Sequence, residues 1–190
     1  MGNLTIANQL TILRIMLIPA FVLLLVYGYP GWSLLVFMFA GITDALDGLI
    51  ARRAGQRTNL GAWLDPMADK LLLVTSFIVL TIPGIPLTNH LPLWLTVSVI
   101  SRDVVIIGVV AIVNLAMGPR TFRPSVWGKM TTAAFILTSV AVMYFNYRRE
   151  TSVIVDIVVW LSFALTVISA ADYFLRLRLL INEPQPPASS

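Results

Sequence analysis

Apolar residues in this chain fall into six stretches separated by short polar breaks: 6–27, 31–51, 61–82, 93–117, 126–147 and 153–175. A helix needs roughly 20 apolar residues to cross the hydrocarbon core of a bilayer, so each stretch predicts one transmembrane helix. Arg14 and Pro19 interrupt the first, and the third and fourth are joined by an uncharged connection containing Pro83, Pro86 and Pro92. No internal repeat is evident. The Pro- and Ser-rich residues 183–190 read as a short disordered tail behind one membrane domain covering 1–182. The pattern therefore predicts an all-α integral membrane protein with six transmembrane helices.

Composition sharpens this. The 190 residues are 58% hydrophobic and 12% charged, whereas a soluble domain carries about a quarter charged residues. The absence of cysteine excludes disulfides and thiolate chemistry, and a lone histidine, His90, excludes a His-based metal cluster or a Ser-His-Asp triad. The first stretch lacks a basic leader and a small-residue cleavage site, so it is expected to stay as a helix. The net charge of +4 is small, and no nucleic-acid partner is expected. Its placement is more telling. Arg52, Arg53 and Arg57 follow the second stretch, Arg120, Arg123 and Lys129 flank the start of the fifth, and Arg176 and Arg178 end the sixth. On the other side only Arg148 and Arg149 occur, beside Glu150. Basic loops stay inside, so both termini are expected to be cytoplasmic in a multi-pass protein of the inner (cytoplasmic) membrane.

The polar positions that break the pattern form one constellation: Asp44-x2-Asp47-Gly48-x2-Ala51-Arg52-x8-Gly61-x3-Asp65-x3-Asp69. Carboxylates at membrane depth are costly and point to a functional site. At about 100° per residue, Asp44, Asp47, Gly48 and Ala51 share one helical face, and Asp65 and Asp69 share another with Gly61 a turn before them. A turn over residues 53–60 would bring the faces together. Four converging carboxylates repel and raise one another's pKa unless divalent cations neutralise them, and hard oxygen donors suit magnesium or manganese. Gly48, Ala51 and Gly61 leave room for a flat ligand near the backbone, Arg52 offers a donor fork suited to phosphate, and Pro66 predicts a kink beside Asp65. Together these describe a cytoplasm-facing site for a metal-bound pyrophosphate.

With every defining position and spacing matched, this segment resembles the signature of the CDP-alcohol phosphatidyltransferase family. The resemblance extends to Asn8-x2-Thr11-x2-Arg14, Ser101-Arg102-Asp103 and Gly128-Lys129. It implies the six-helix bundle of that family and transfer of a phosphatidyl group from CDP-diacylglycerol to an alcohol, with release of CMP. By similarity Asp44, Asp47, Asp65 and Asp69 would bind two Mg²⁺ or Mn²⁺ ions, with Asp69 also the general base on the acceptor hydroxyl. Asp44, Gly48, Ala51, Arg52 and Gly61 would line the CDP pocket, and a homodimer is expected. Arg102, Lys129 and Arg123 are candidates to hold an acceptor phosphate. Residues 169–173 resemble the branch that uses glycerol 3-phosphate, although that branch more usually has Arg-Glu where this chain has Arg102-Asp103. The Ser-Arg-Asp form, with Arg123-Pro124 before Gly128-Lys129, also resembles the branch that makes cardiolipin from phosphatidylglycerol.

Plainer readings compete. Arg102 could form an intramembrane ion pair with Asp156 or Asp172, Lys129, Arg120 and Arg123 could mark the positive-inside boundary, and Asn8, Thr11 and Arg14 could be a capped helix start. Buried acids also serve small ion-coupled transporters, but there they are spread across the membrane rather than crowded at one mouth.

Overall fold

The computed structural model describes residues 6–54, 59–117 and 125–182; side chains of the acidic motif lie outside the described residues. Six helices follow the apolar stretches closely: α1 (Ile6–Val26), α2 (Pro30–Ala54), α3 (Asn59–Thr81), α4 (Leu93–Met117), α5 (Val126–Arg148) and α6 (Val153–Asn182). Among the described residues all regular structure is helical. The third helix continues through Pro66, and α6 continues seven residues past the expected end at 175. The tail proposed for 183–190 lies outside the described residues.

Local chemistry sets the helix ends that can be read. Ser125, with extended backbone (φ −74°, ψ 155°), caps α5 by accepting a hydrogen bond from the Gly128 N–H. At the other end Arg149 takes a left-handed conformation (φ 53°). Its N–H donates to Asn146 O and that of Glu150 to Phe145 O, both at 3.1 Å, which satisfies the last carbonyls. The left-handed Gly28 (φ 77°) closes the tight connection from α1 to α2.

Packing is that of a membrane bundle. On α5 the buried positions Thr131, Ala134, Phe135, Thr138, Ser139, Val142, Met143 and Asn146 recur every three or four residues. Phe21, Leu25, Phe77, Leu80 and Leu95 fill the core with them. The outer surface is equally apolar, with Met16, Leu23, Ile112 and Leu115 largely exposed. Such a surface suits lipid rather than water. Buried hydroxyls join the helices instead: Ser76 to Ser139 at 3.0 Å, Thr138 to Ser162 at 2.8 Å, and Thr131 to Leu165 O at 3.1 Å. Candidate spans by length and composition are Gln9–Val26, Leu93–Ile112, Val126–Arg148 and Val153–Arg176, with shorter apolar segments at Pro30–Thr43 and Lys70–Thr81. The chain is an integral membrane protein. In α2 and α3 the remaining half of each helix carries the acidic motif.

Candidate active site

The motif occupies the C-terminal half of α2 and the N-terminal half of α3. Helical backbone puts Asp44 and Asp47 three residues apart along one face of α2, with Gly48 and Ala51 on the same face, and Asp65 and Asp69 four apart along one face of α3. The first helix packs against both α2 and α3, and α5 also touches both, so the motif helices flank shared neighbours. The side chains of Asp44, Asp47, Arg52, Asp65 and Asp69 lie outside the described residues, as do Arg120 and Arg123 altogether. The donor set fits a hard divalent cation: carboxylate oxygens only, with no thiolate in the chain and its one histidine in the connection after α3.

The described part of this end of the bundle is a network of charges. Asp103 on α4 receives Arg102 Nη1 at 2.8 Å and faces Lys70 Nζ on α3 at 3.3 Å. The other terminal nitrogen, Arg102 Nη2, donates to Ser169 Oγ on α6. Arg102 and Asp103 are mostly buried, while Lys70 is half exposed. The network thus ties α3, at the residue next to Asp69, to α4 and α6. Among the described residues, Lys70 and Arg102 share the one carboxylate of Asp103. One donor, Arg102 Nε, is buried with no hydrogen-bond partner among the described residues. A small cavity of about 160 Å³ between α4 and α6 is lined by Arg102, Ser101 and Tyr173 among apolar neighbours.

The N-terminus of α5 abuts the same guanidinium. A Cβ at Gly128 would make ordinary van der Waals contacts, 3.6 Å to Arg102 Nη2 and 4.0 Å to Ser169 Oγ, which places the start of α5 beside the guanidinium. Lys129 follows it, exposed. Of the expected acceptor-phosphate residues, Arg102 and Lys129 therefore fall on adjoining elements.

Two of the plainer readings are revised. Arg102 does form an ion pair within the bundle, but with Asp103 rather than with Asp156 or Asp172. Asp156 lies in the first turn of α6, exposed and more than three turns (roughly 20 Å) from Ser169, and Asp172 is taken by Arg176 at 3.0 Å one turn along its own helix. Nor do Asn8, Thr11 and Arg14 form a capped helix start: all three lie inside α1, which already runs from Ile6, and Thr11 and Arg14 are fully buried. Sequence reasoning gave Lys70 no role. A lysine within an apolar helix was the available signal, because such a charge requires a partner.

The chain belongs to the CDP-alcohol phosphatidyltransferase family, whose pattern it matches over residues 4–168. Among its relatives is a Mycobacterium tuberculosis protein named "Probable phosphatidylglycerophosphate synthase", 32% identical over 179 residues, 90% of this chain and 80% of the relative. The CDP-diacylglycerol–glycerol-3-phosphate 3-phosphatidyltransferase of Haemophilus influenzae is 32% identical over 171 residues, 86% of this chain and 88% of the relative. The cardiolipin synthase (CMP-forming) of Streptomyces coelicolor is 39% identical over 117 residues, covering 58% of this chain and 52% of the relative.

Proposed function

We propose that this protein transfers the phosphatidyl group of CDP-diacylglycerol to glycerol 3-phosphate, releasing CMP and forming phosphatidylglycerophosphate. The observation that carries the reading is the complete acidic motif, divided between α2 and α3, in a member of this family. The named activities of the M. tuberculosis and H. influenzae relatives support the acceptor.

In this reading all six helices span the membrane as one catalytic domain over 1–182, with both termini and the motif on the cytoplasmic side, and the protein works as a homodimer. Asp44, Asp47, Asp65 and Asp69 hold two Mg²⁺ or Mn²⁺ ions. When bound, those ions offset the charge of the donor's pyrophosphate. Asp44, Gly48, Ala51, Arg52 and Gly61 seat the CDP group, the small residues admitting the base and Arg52 holding phosphate. Asp69 takes the proton of the acceptor hydroxyl, since an alcohol is a weak nucleophile until a positioned base removes it. Arg102 and Lys129, with Arg123, hold the acceptor's phosphate; the Arg102 Nε, buried without a hydrogen-bond partner among the described residues, supports that role. The diacyl tail remains in the bilayer throughout.

A second reading takes phosphatidylglycerol as the acceptor and makes cardiolipin. It is favoured by Asp103 in place of the more usual glutamate and by the S. coelicolor relative. Purified protein with CDP-diacylglycerol and Mg²⁺ should release CMP when glycerol 3-phosphate is added. Release with phosphatidylglycerol alone would select the second reading. Failure to bind CDP-diacylglycerol at all would remove both and leave an ion-coupled transporter as the alternative.

A further inference from the structure

A second cavity lies at the other end of the bundle. It measures about 660 Å³ and is bounded by the start of α2 and the end of α5, with Trp32, Leu34, Leu35, Tyr144, Tyr147 and Arg149 in its wall. Its volume is in the range of ligand sites. Asp44 lies thirteen positions along α2 from Gly31, about 20 Å of helix, so the cavity stands apart from the acidic motif.

Its wall is built with some precision. A Cβ at Gly31 would stand 2.5 Å from Tyr147 Cδ2, so only glycine allows that ring to lie against α2. Arg149 is held in its left-handed turn by the closing hydrogen bonds of α5. Glu150, its neighbour in sequence, is engaged by Arg148 at 3.1 Å, and no carboxylate lies within ion-pair reach of Arg149 among the described residues. Around it Tyr29, Trp32 and Tyr147 are largely exposed, as amphipathic rings are at the headgroup level of a bilayer. A cation there, with aliphatic Leu34 and Leu35 running into the membrane, matches a molecule with an anionic head and an apolar tail.

We propose that this groove binds a glycerophospholipid of net negative charge, its phosphate on Arg149 and one acyl chain along Leu34 and Leu35. The site is separate from the transferase reading and does not depend on it. Native mass spectrometry of the full chain, released from nanodiscs of equal phosphatidylserine and phosphatidylcholine, tests this without using a family acceptor. The intact protein should retain phosphatidylserine over phosphatidylcholine by about tenfold, the scale of one charge-assisted contact. Arg149→Gln should abolish the preference, and Arg148→Gln should keep it. Equal retention of both lipids by the intact protein, an unchanged preference in Arg149→Gln, equal loss in both variants, or release of a lipid-free dimer would each overturn the proposal.

Discussion

Asp103 is the joint on which the charges beside the motif depend, and replacing it by asparagine isolates its contribution. Asp103→Asn keeps the shape and an acceptor for Arg102 Nη1 but removes the charge shared with Lys70. The Arg102 and Asp103 side chains are only 13% and 18% exposed, so solvent screens their 2.8 Å contact weakly. Lys70 is 49% exposed at 3.3 Å, and a pair so open to solvent contributes at most about 1 kcal/mol. Losing the charge assistance of a buried bond while keeping an acceptor costs roughly 1–1.5 kcal/mol. The sum, about 1–2.5 kcal/mol, should lower the unfolding midpoint by roughly 2–10 °C in a chain of this size. With five tryptophans and no cysteine, intrinsic fluorescence during a thermal ramp in nanodiscs is the natural assay. Replacing both partners, Arg102→Leu with Asp103→Leu, should restore part of what Asp103→Leu alone loses, because it leaves no buried guanidinium unpaired. An unchanged midpoint in Asp103→Asn, or a double variant as unstable as the sum of its singles, would refute the argument.

Asp69→Asn should abolish CMP release while CDP-diacylglycerol binding persists, and near-normal turnover would remove Asp69 as the base. Asp44→Asn should instead weaken the metal dependence of donor binding; a metal titration identical to that of the parent would count against it as a ligand. Gly31→Ala drives a Cβ into the Tyr147 ring and should cost about 1–3 kcal/mol, read as a lower midpoint that Tyr147→Ala in the same chain relieves. Thr138→Val removes a buried hydroxyl bonded to Ser162 at 2.8 Å and Val158 O at 3.1 Å, for which interhelical bonds in membranes suggest roughly 0.6–1.7 kcal/mol. Its midpoint should fall by a few degrees, and Ser162→Ala should add little to it.

The positions of the helices were legible because the bilayer imposes a length on apolar runs and because Pro83, Pro86 and Pro92 cannot continue one. The acidic motif was legible for a related reason: carboxylates stand out against an apolar background, and their spacing along a helix is known before the fold is. Which face of each helix looks inward was not legible. A lipid-facing residue such as Leu115 is as apolar as the buried Leu95, so the contrast that marks the inner face of a soluble helix largely disappears. The pairing of Lys70 with Asp103, the reach of Arg102 to Ser169 rather than to Asp172, and the seat of Tyr147 on Gly31 all depend on the rotation of one helix against another. That rotation is decided by side-chain packing and by hydroxyls such as Ser76 and Ser139 finding each other 63 residues apart. Local sequence dictates the helices and the chemistry they carry; only their assembly decides which charges meet.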